Sequence, residues 1–402
     1  MATTASGGRE GRITDAAVVG RILREYHQAG IEPSGIRRLT GSVRGARVSY
    51  WLGEPRLPGA PGGPGVARGP GVLRGPGVLR GPGVLRGPGG AGLVVRAFRT
   101  DMPLAGEFRG GRPAAVTDWL WSRAATLGWL EEHAYPAPRV IRTRSGDLVG
   151  LAGVWATLAT TYVTGTPLGP GTGQQRLLGE ALGRLHALGA AGGDAAMAAM
   201  GRAAWDPETA IPAALGRLDA VESLTPADWR PLLNEFRAVL LAVRDRAAAL
   251  PSSVVHGDPW PGNAVHTAQD QVTLIDWENA GLGLPLLDLG FCLLECHLDV
   301  GLPSNQPSAW HIQPDEDRIA AVVAGYSSWR QLQPAEKDLL LEGIRFPAAY
   351  VGAIHLEQAL LGGVRGRSMD VRLERLRNRL EVSGAVAELA RRHLGGGAYP
   401  VR

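Results

Sequence analysis

Apolar residues first recur at helical spacing over positions 14–29, where Ile13, Ala17, Val18, Ile22, Leu23 and Tyr26 share one stripe and Thr14 can serve as N-cap. The period then shortens to two. Residues 36–39 and 47–52 alternate apolar and polar around a turn holding Gly41, Ser42 and Gly45, which predicts a hairpin. A β-rich run follows at 92–98. A helix is predicted over 117–133 on the stripe Leu120, Ala124, Leu127 and Leu130, with further strands at 140–141, 148–154 and 159–163. Beyond Thr166 and Pro167 the pattern turns helical. Leu177, Leu178, Ala181, Leu182, Leu185 and Leu188 line one face of 174–188, and 226–250, 315–331, 335–362 and 368–394 read as amphipathic helices. The Ala- and Gly-rich stretch 189–204 reads as a linker or a loose helix, and a strand–loop–strand segment sits at 253–276. The expected organisation is a flexible N-terminus (1–12), a β-rich N-lobe (13–165) and a mainly helical C-lobe (166–398), an α+β bilobal chain.

One segment fits no such pattern. From 63 to 90 the chain repeats GPGV(A/L)R four times and begins a fifth copy. Collagen needs Gly at every third residue and a solenoid needs apolar residues to bury; this repeat has neither, so it is expected to be a low-complexity insertion in a loop. The repeat also accounts for the formal charge of +4, because Arg68, Arg74, Arg80 and Arg86 come with no acidic residue. The rest of the chain is formally neutral, which argues against a nucleic-acid partner, and the repeat lacks the interleaved aromatics that stack on bases. Lys337 is the single lysine among 42 basic residues, so no P-loop lysine or lysine nucleophile is available elsewhere. Cys292 and Cys296 cannot staple 402 residues, and with His297 they lie one turn apart on an apolar helix, which suits burial better than zinc. No leader-like N-terminus and no apolar run of about 18 residues occur, so the expected location is the cytoplasm, without a membrane partner.

The chemistry concentrates in one segment. Val254, Val255, His256, Gly257 and Asp258 are followed after four residues by Asn263, with Pro259, Pro261 and Gly262 forcing a turned path between them. Two short β runs, 264–266 and 272–275, then form a hairpin that returns the chain, so that Asn263 and Asp276 lie side by side at its two ends. An amide oxygen and a carboxylate so placed, with Asp258 nearby, make a hard-oxygen site suited to Mg²⁺, which bridges phosphate oxygens in phosphoryl transfer. The plainer alternatives are a turn-forming Asp258 and a helix-capping Asp276.

This segment resembles the aminoglycoside phosphotransferase family, relatives of choline kinases and more remotely of protein kinases. The resemblance rests on His256-Gly257-Asp258 with Asn263, on Ile275-Asp276-Trp277-Glu278, and on Gly281 to Pro285 ahead of Leu287-Asp288-Leu289. The helix containing Leu182-Gly183-Arg184-Leu185-His186 and the Pro-rich run Tyr135 to Val140 match as well. It implies a protein-kinase-like fold, ATP with GTP as an alternative, Mg²⁺, and a small-molecule hydroxyl as acceptor. It implies Asp258 as the catalytic aspartate, Asn263 and Asp276 as metal ligands, and His256 as a structural residue. It makes Asp288 a buried support for the loop, despite an Asp-Leu-Gly triplet that looks like a kinase metal site. Arg96 falls at the basic residue that contacts the nucleotide phosphates, the alternative being an exposed strand arginine. Gly41, Ser42 and Gly45 fall at the phosphate-approaching turn, and Thr161, Tyr162 and Val163 at the adenine hinge. Arg123 stands where the family's helix glutamate is expected; Asp118, Glu131 or Glu132 are the candidate replacements, unless no such ion pair exists. The acceptor would be an aminoglycoside-like antibiotic or an amino-alcohol or sugar metabolite. For a polycationic antibiotic, Glu278, Glu295, Asp299, Asp315, Glu316, Asp317 and Glu357 are the candidate cleft acids. A catalytically impaired nucleotide-binding module is the alternative reading.

Overall fold

A computed structural model describes residues 36–41, 47–52, 93–100, 116–191, 197, 199–267, 271–298, 311–362 and 367–395. The expected helix at 14–29, the repeat, Ser42, Gly45 and Asp299 lie outside the described residues.

β1 (Ile36–Gly41) and β2 (Arg47–Leu52) pair antiparallel, as the alternation predicts. β2 pairs with β3 (Leu93–Arg99), and β3 with β6 (Trp155–Thr161). The short strands β4 (Val140–Ile141) and β5 (Gly150–Ala152) also pair with β6, so six described strands form one antiparallel sheet. Helix α1 (Val116–Glu132) covers it. Its stripe Val116, Leu120, Ala124 and Leu127 packs with Phe98, Ala156 and Leu158, and Phe98 meets Trp119 edge to face at 5.0 Å. Arg96, two residues before Phe98 and opposite Leu158, leaves the sheet on that same face.

β7 (Thr166–Pro167) crosses to pair with β9 (Ala264–His266), itself the partner of β10 (Val272–Leu274). The helices that follow are α2 (Thr172–Ala191), α3 (Pro207–Val221), α4 (Arg230–Arg246), α5 (Pro285–Glu295), α6 (Glu316–Ser327), α7 (Pro334–Asp338), α8 (Leu340–Leu360) and α9 (Arg367–Gly395). They share one apolar core, in which Leu178, Leu182, Leu185, Phe236, Leu240, Tyr326 and Phe346 are almost wholly buried. α2 and α6 cross at backbone distance: a Cβ on Gly325 would come within 2.0 Å of the Arg176 carbonyl, and one on Gly183 within 2.5 Å of the Tyr326 carbonyl.

Two expectations need correction. The single helix expected over 335–362 is two, broken at Leu339 (φ −100°, ψ 9°), with Glu336 accepting the Gln333 backbone N–H to cap the first. Helix α3 was not expected at all. Its buried face (Pro207, Ala210, Ile211, Ala214, Leu218, Val221) repeats cleanly at helical spacing, but Pro207, Pro212 and Gly216 interrupt the pattern with residues that disfavour helix interiors. Pro207 occupies the first turn, where its missing N–H costs nothing.

Candidate active site

The site grows out of two short strands. β8 (Ser253–Val255) pairs antiparallel with β11 (Gly281–Gly283), Val255 opposite Gly281, which sets His256, Gly257 and Asp258 beside the chain that has just left Asp276. Gly257 has φ +79°, and a Cβ there would lie 2.4 Å from the Asn279 carbonyl, so this turn needs glycine. The loop is fixed from below by α5. Asp288, in its first turn and 1% exposed, accepts the N–H of His256 at 2.6 Å and of Gly257 at 2.9 Å. His256 is a strut between the loop and β10. Its Nδ1 accepts the Asp258 N–H (3.2 Å), so Nε2 carries the proton and donates to the Ile275 carbonyl (3.0 Å). Burial lowers its pKa and keeps it neutral, as that pattern requires.

The β9–β10 hairpin does what the spacing predicts. The Ile275 N–H donates to the Asn263 carbonyl at 2.8 Å, one rung past the hairpin, so Asn263 and Asp276 emerge as neighbours. Asp276 adopts the left-handed conformation (φ 68°), uncommon for a residue with a side chain, and leads into a 3-10 turn (Trp277–Asn279) anchored by Trp277 Nε1 on the Leu274 carbonyl (2.8 Å). Asn263 donates through Nδ2 to the Asp258 carboxylate (2.7 Å) and carbonyl (3.0 Å). Its Oδ1 is buried and has no hydrogen-bond partner among the described residues. Burial, reinforced by the Asp276 charge, raises the Asp258 carboxyl well above the ordinary carboxylate range, against the Asn263 hydrogen bond.

Arg96 completes the cluster. Nη2 lies 2.9 Å from Asp276 Oδ1 and Nε 2.8 Å from Glu278 Oε1. Burial works against its charge, but the two carboxylates outweigh it and raise its pKa. The partner is thus none of the candidate replacements Asp118, Glu131 and Glu132 on α1, and of the alternatives left open it is the absence of a helix ion pair that holds; Glu131 instead lies 3.5 Å from Arg139. Arg123, on α1, is 5% exposed, donates to the Arg202 carbonyl (3.1 Å), and shares with Arg96 and Glu278 a small cavity walled by Phe98, Trp119, Leu127 and Trp277. Burial lowers its pKa to about 10, against the opposing Glu278 charge.

Behind Asp288 a buried polar chain continues. His186 Nε2 lies 3.3 Å from Asp288, its Nδ1 3.0 Å from the Tyr326 hydroxyl, and that hydroxyl accepts from Arg330 (2.9 Å), which forks onto Glu336 at 2.8 and 2.9 Å. Glu278 and His186 were missed as site residues. Glu278 has a signal in the chain, since it stands two residues after Asp276 in the motif Ile275 to Glu278, though neither that motif nor its place among the cleft acids points to Arg96. The structure gathers Asp258, Asn263, Asp276, His256, Asp288 and Arg96. Gly41 ends β1 opposite Val48 at the sheet edge. Thr161 ends β6, where it exchanges hydrogen bonds with Arg139 (both 2.9 Å), and Tyr162 and Val163 lie on the connection to β7.

A sheet-rich lobe, a helical lobe, and an Asp–Asn–Asp cluster on a loop and hairpin define the bilobal protein-kinase-like class. A family model described as "Phosphotransferase enzyme family" matches residues 112–335, more than half of the sequence, and the chain belongs to that family. Among curated proteins it is similar to homoserine kinase of Hyphomonas neptunium (27% identity over 216 residues; 52% of this chain, 62% of the relative). Homoserine kinase of Methylobacterium nodulans is similar too (30% over 234 residues; 52% and 61%), so the chain spans about three fifths of the length of these relatives. Among solved structures, amicoumacin kinase hAmiN in complex with AMP-PNP, Ca²⁺ and Ami shares the fold with a TM-score of 0.61 at 12% identity (92% of this chain, 94% of that one). A microcompartment-associated aminopropanol kinase does so with a TM-score of 0.57 at 18% identity (94% and 97%). No described helix is long and apolar enough to cross a membrane.

Proposed function

We propose that the chain transfers the γ-phosphoryl group of ATP to a hydroxyl of a small molecule, using Mg²⁺. Residues 13–165 supply the nucleotide side and 166–398 the acceptor side. The observation that carries this reading is the Asn263 side chain. Its amide N–H is spent on Asp258, which leaves a buried oxygen with no hydrogen-bond partner among the described residues, and with the neighbouring Asp276 carboxylate it would offer a cation a hard-oxygen donor pair. Bound there, Mg²⁺ would neutralise charge on the transferring phosphate. Asp258 accepts the acceptor's hydroxyl proton as the new O–P bond forms and the bond from Pγ to the ADP oxygen breaks. Its raised proton affinity suits it to that role. Arg96 presents a guanidinium that can bind phosphate oxygens in a fork. Its pairing with Asp276 and Glu278 removes one of the two grounds for the alternative of an impaired nucleotide-binding module, the missing helix glutamate, and leaves the other, a turn at Gly41 to Gly45 short of a full Gly-rich loop.

For the acceptor we infer a small hydroxylated amine or amino acid of the homoserine type in preference to an aminoglycoside. Five of the seven candidate cleft acids already carry arginine partners: Glu278 with Arg96, Glu295 with Arg379 (2.8 Å), Asp315 with Arg318, Glu316 with Arg392, and Glu357 with Arg217. A polycation would have to displace these arginines. The names of the curated relatives support the same choice. The test is ADP release by purified protein with ATP or GTP and Mg²⁺, offered homoserine, 1-amino-2-propanol, choline or an aminoglycoside, with Asp258→Asn as blank. Turnover confined to an aminoglycoside overturns the acceptor assignment, and no turnover above the blank with any acceptor overturns the phosphotransfer reading.

A further inference from the structure

The Asp276 carboxylate is already neutralised by the chain itself. Arg96 Nη2 occupies one of its oxygens at 2.9 Å, and the side chains of Arg96, Asp276 and Glu278 are only 16%, 11% and 7% exposed. At such burial an ion pair is screened far less than on the surface. A divalent cation approaching Asp276 would meet a guanidinium already in place, and with it a like charge. The two ends of that guanidinium are held unequally. Nε lies 2.8 Å from Glu278 Oε1 as a buried ion pair without hydrogen-bond geometry; Glu278 lies in the 3-10 turn that Trp277 anchors and lines the same cavity as the buried Arg123. Nη2 donates a hydrogen bond to Asp276 Oδ1 and to no other described residue.

Resting on the metal-site reading above, we propose that Arg96 guards that site. Without nucleotide its guanidinium takes the cation's place on Asp276. Glu278 is the positioning residue that holds the Nε end by charge, so that nucleotide binding passes only the Nη2 end from Asp276 to a phosphate oxygen. Glu278 thereby replaces the helix acid absent from α1. A phosphate competes well for Nη2, because a guanidinium suits phosphate geometry and Nε need not leave its carboxylate. Release of Asp276 then coincides with arrival of the phosphates, and the metal enters with the nucleotide and not before it.

Mn²⁺ binding, followed by the loss of the free-ion paramagnetic resonance signal, tests this without any acceptor. Wild type is expected to bind Mn²⁺ weakly alone and tightly with a non-hydrolysable ATP analogue. Arg96→Met, and Arg96→Gln as a second variant should the first fold poorly, are expected to bind Mn²⁺ alone about tenfold more tightly than wild type, by loss of the adjacent charge, and to bind the analogue more weakly. Glu278→Gln frees Nε to join Nη2 on Asp276, so it should weaken Mn²⁺ binding without nucleotide and weaken the analogue as well. If wild type takes up Mn²⁺ with the analogue but the Arg96 variants match wild type without it, the guard is wrong and the site stands. If wild type takes up no Mn²⁺ in either condition, the metal-site reading fails and the guard with it. Unchanged analogue affinity in Glu278→Gln overturns the positioning role.

Discussion

Among the described residues the Asp258 carboxylate accepts a hydrogen bond from Asn263, and its proton affinity is otherwise shaped by burial and by Asp276. Asp258→Asn keeps the volume and loses the proton acceptor. Nucleotide affinity is expected to stay within about twofold while kcat falls by about 100-fold or more, the range of general-base contributions. Parallel loss of both in nucleotide titration and steady-state assays would place Asp258 among the metal ligands instead. A second residue-scale prediction concerns pH. Burial pulls the pKa of His297 down to about 4 from 6.5, and its Nδ1 lies 3.3 Å from the Asp315 N–H as acceptor. Between those two values the unfolded chain binds a proton that the folded one refuses, so His297 makes stability fall as pH drops from 6.5 toward 4, by up to about 1.4 kcal/mol per pH unit. His297→Asn keeps an acceptor and removes the titration. Urea unfolding at pH 7 and pH 5 should show a smaller loss for the variant, and an equal loss removes His297 as a source of the acid sensitivity.

Elements hold these residues in place through close contacts with little slack. The α2–α6 crossing brings backbone against backbone, with Gly325 2.0 Å (as a virtual Cβ) from the Arg176 carbonyl. Gly325→Ala has no flexible side chain to push aside. It should destabilise the fold by about 1–3 kcal/mol, the usual cost of overpacking, read as a lower urea midpoint. Because Tyr326 and His186 stand on these two helices and lead to Asp288, the substitution should also reduce kcat. Much of this level was legible in the chain. The helices around α1, α2, α6 and α9 and the β9–β10 hairpin fall within a few residues of expectation, since each is set by a local apolar period. Helix α3 and the break at Leu339 were not legible, because packing into the core overrode Pro and Gly in one case and interrupted an unbroken apolar pattern in the other.

At the scale of the whole molecule, the 40 residues between β2 and β3 join strands that are already antiparallel neighbours, with Leu52 opposite Leu93. Removing residues 63–86 leaves 16 of them, ample to close the connection. The change in loop-closure entropy is about 1 kcal/mol, so the melting temperature and the turnover should be nearly unchanged. The formal charge falls from +4 to 0, and retention on a polyanion column should fall with it. A folded deletion variant without turnover would show that the repeat's arginines reach the nucleotide or the acceptor.

The sequence by itself determined the Asp258, Asn263 and Asp276 cluster, because a tight turn and a short hairpin bring these residues together within 19 positions and leave the chain few other paths. It also determined the alternation that puts Arg96 on one face of a strand. Only the tertiary structure decided what meets that face. Arg96 and Asp276 are 180 residues apart, and His186 and Asp288 are 102 apart. Such pairings depend on which surfaces of the sheet, α1 and the helical lobe pack together. Local spacing carries no record of that choice, so the acid that partners Arg96 came from the far side of the site and not from the helix where the pattern pointed.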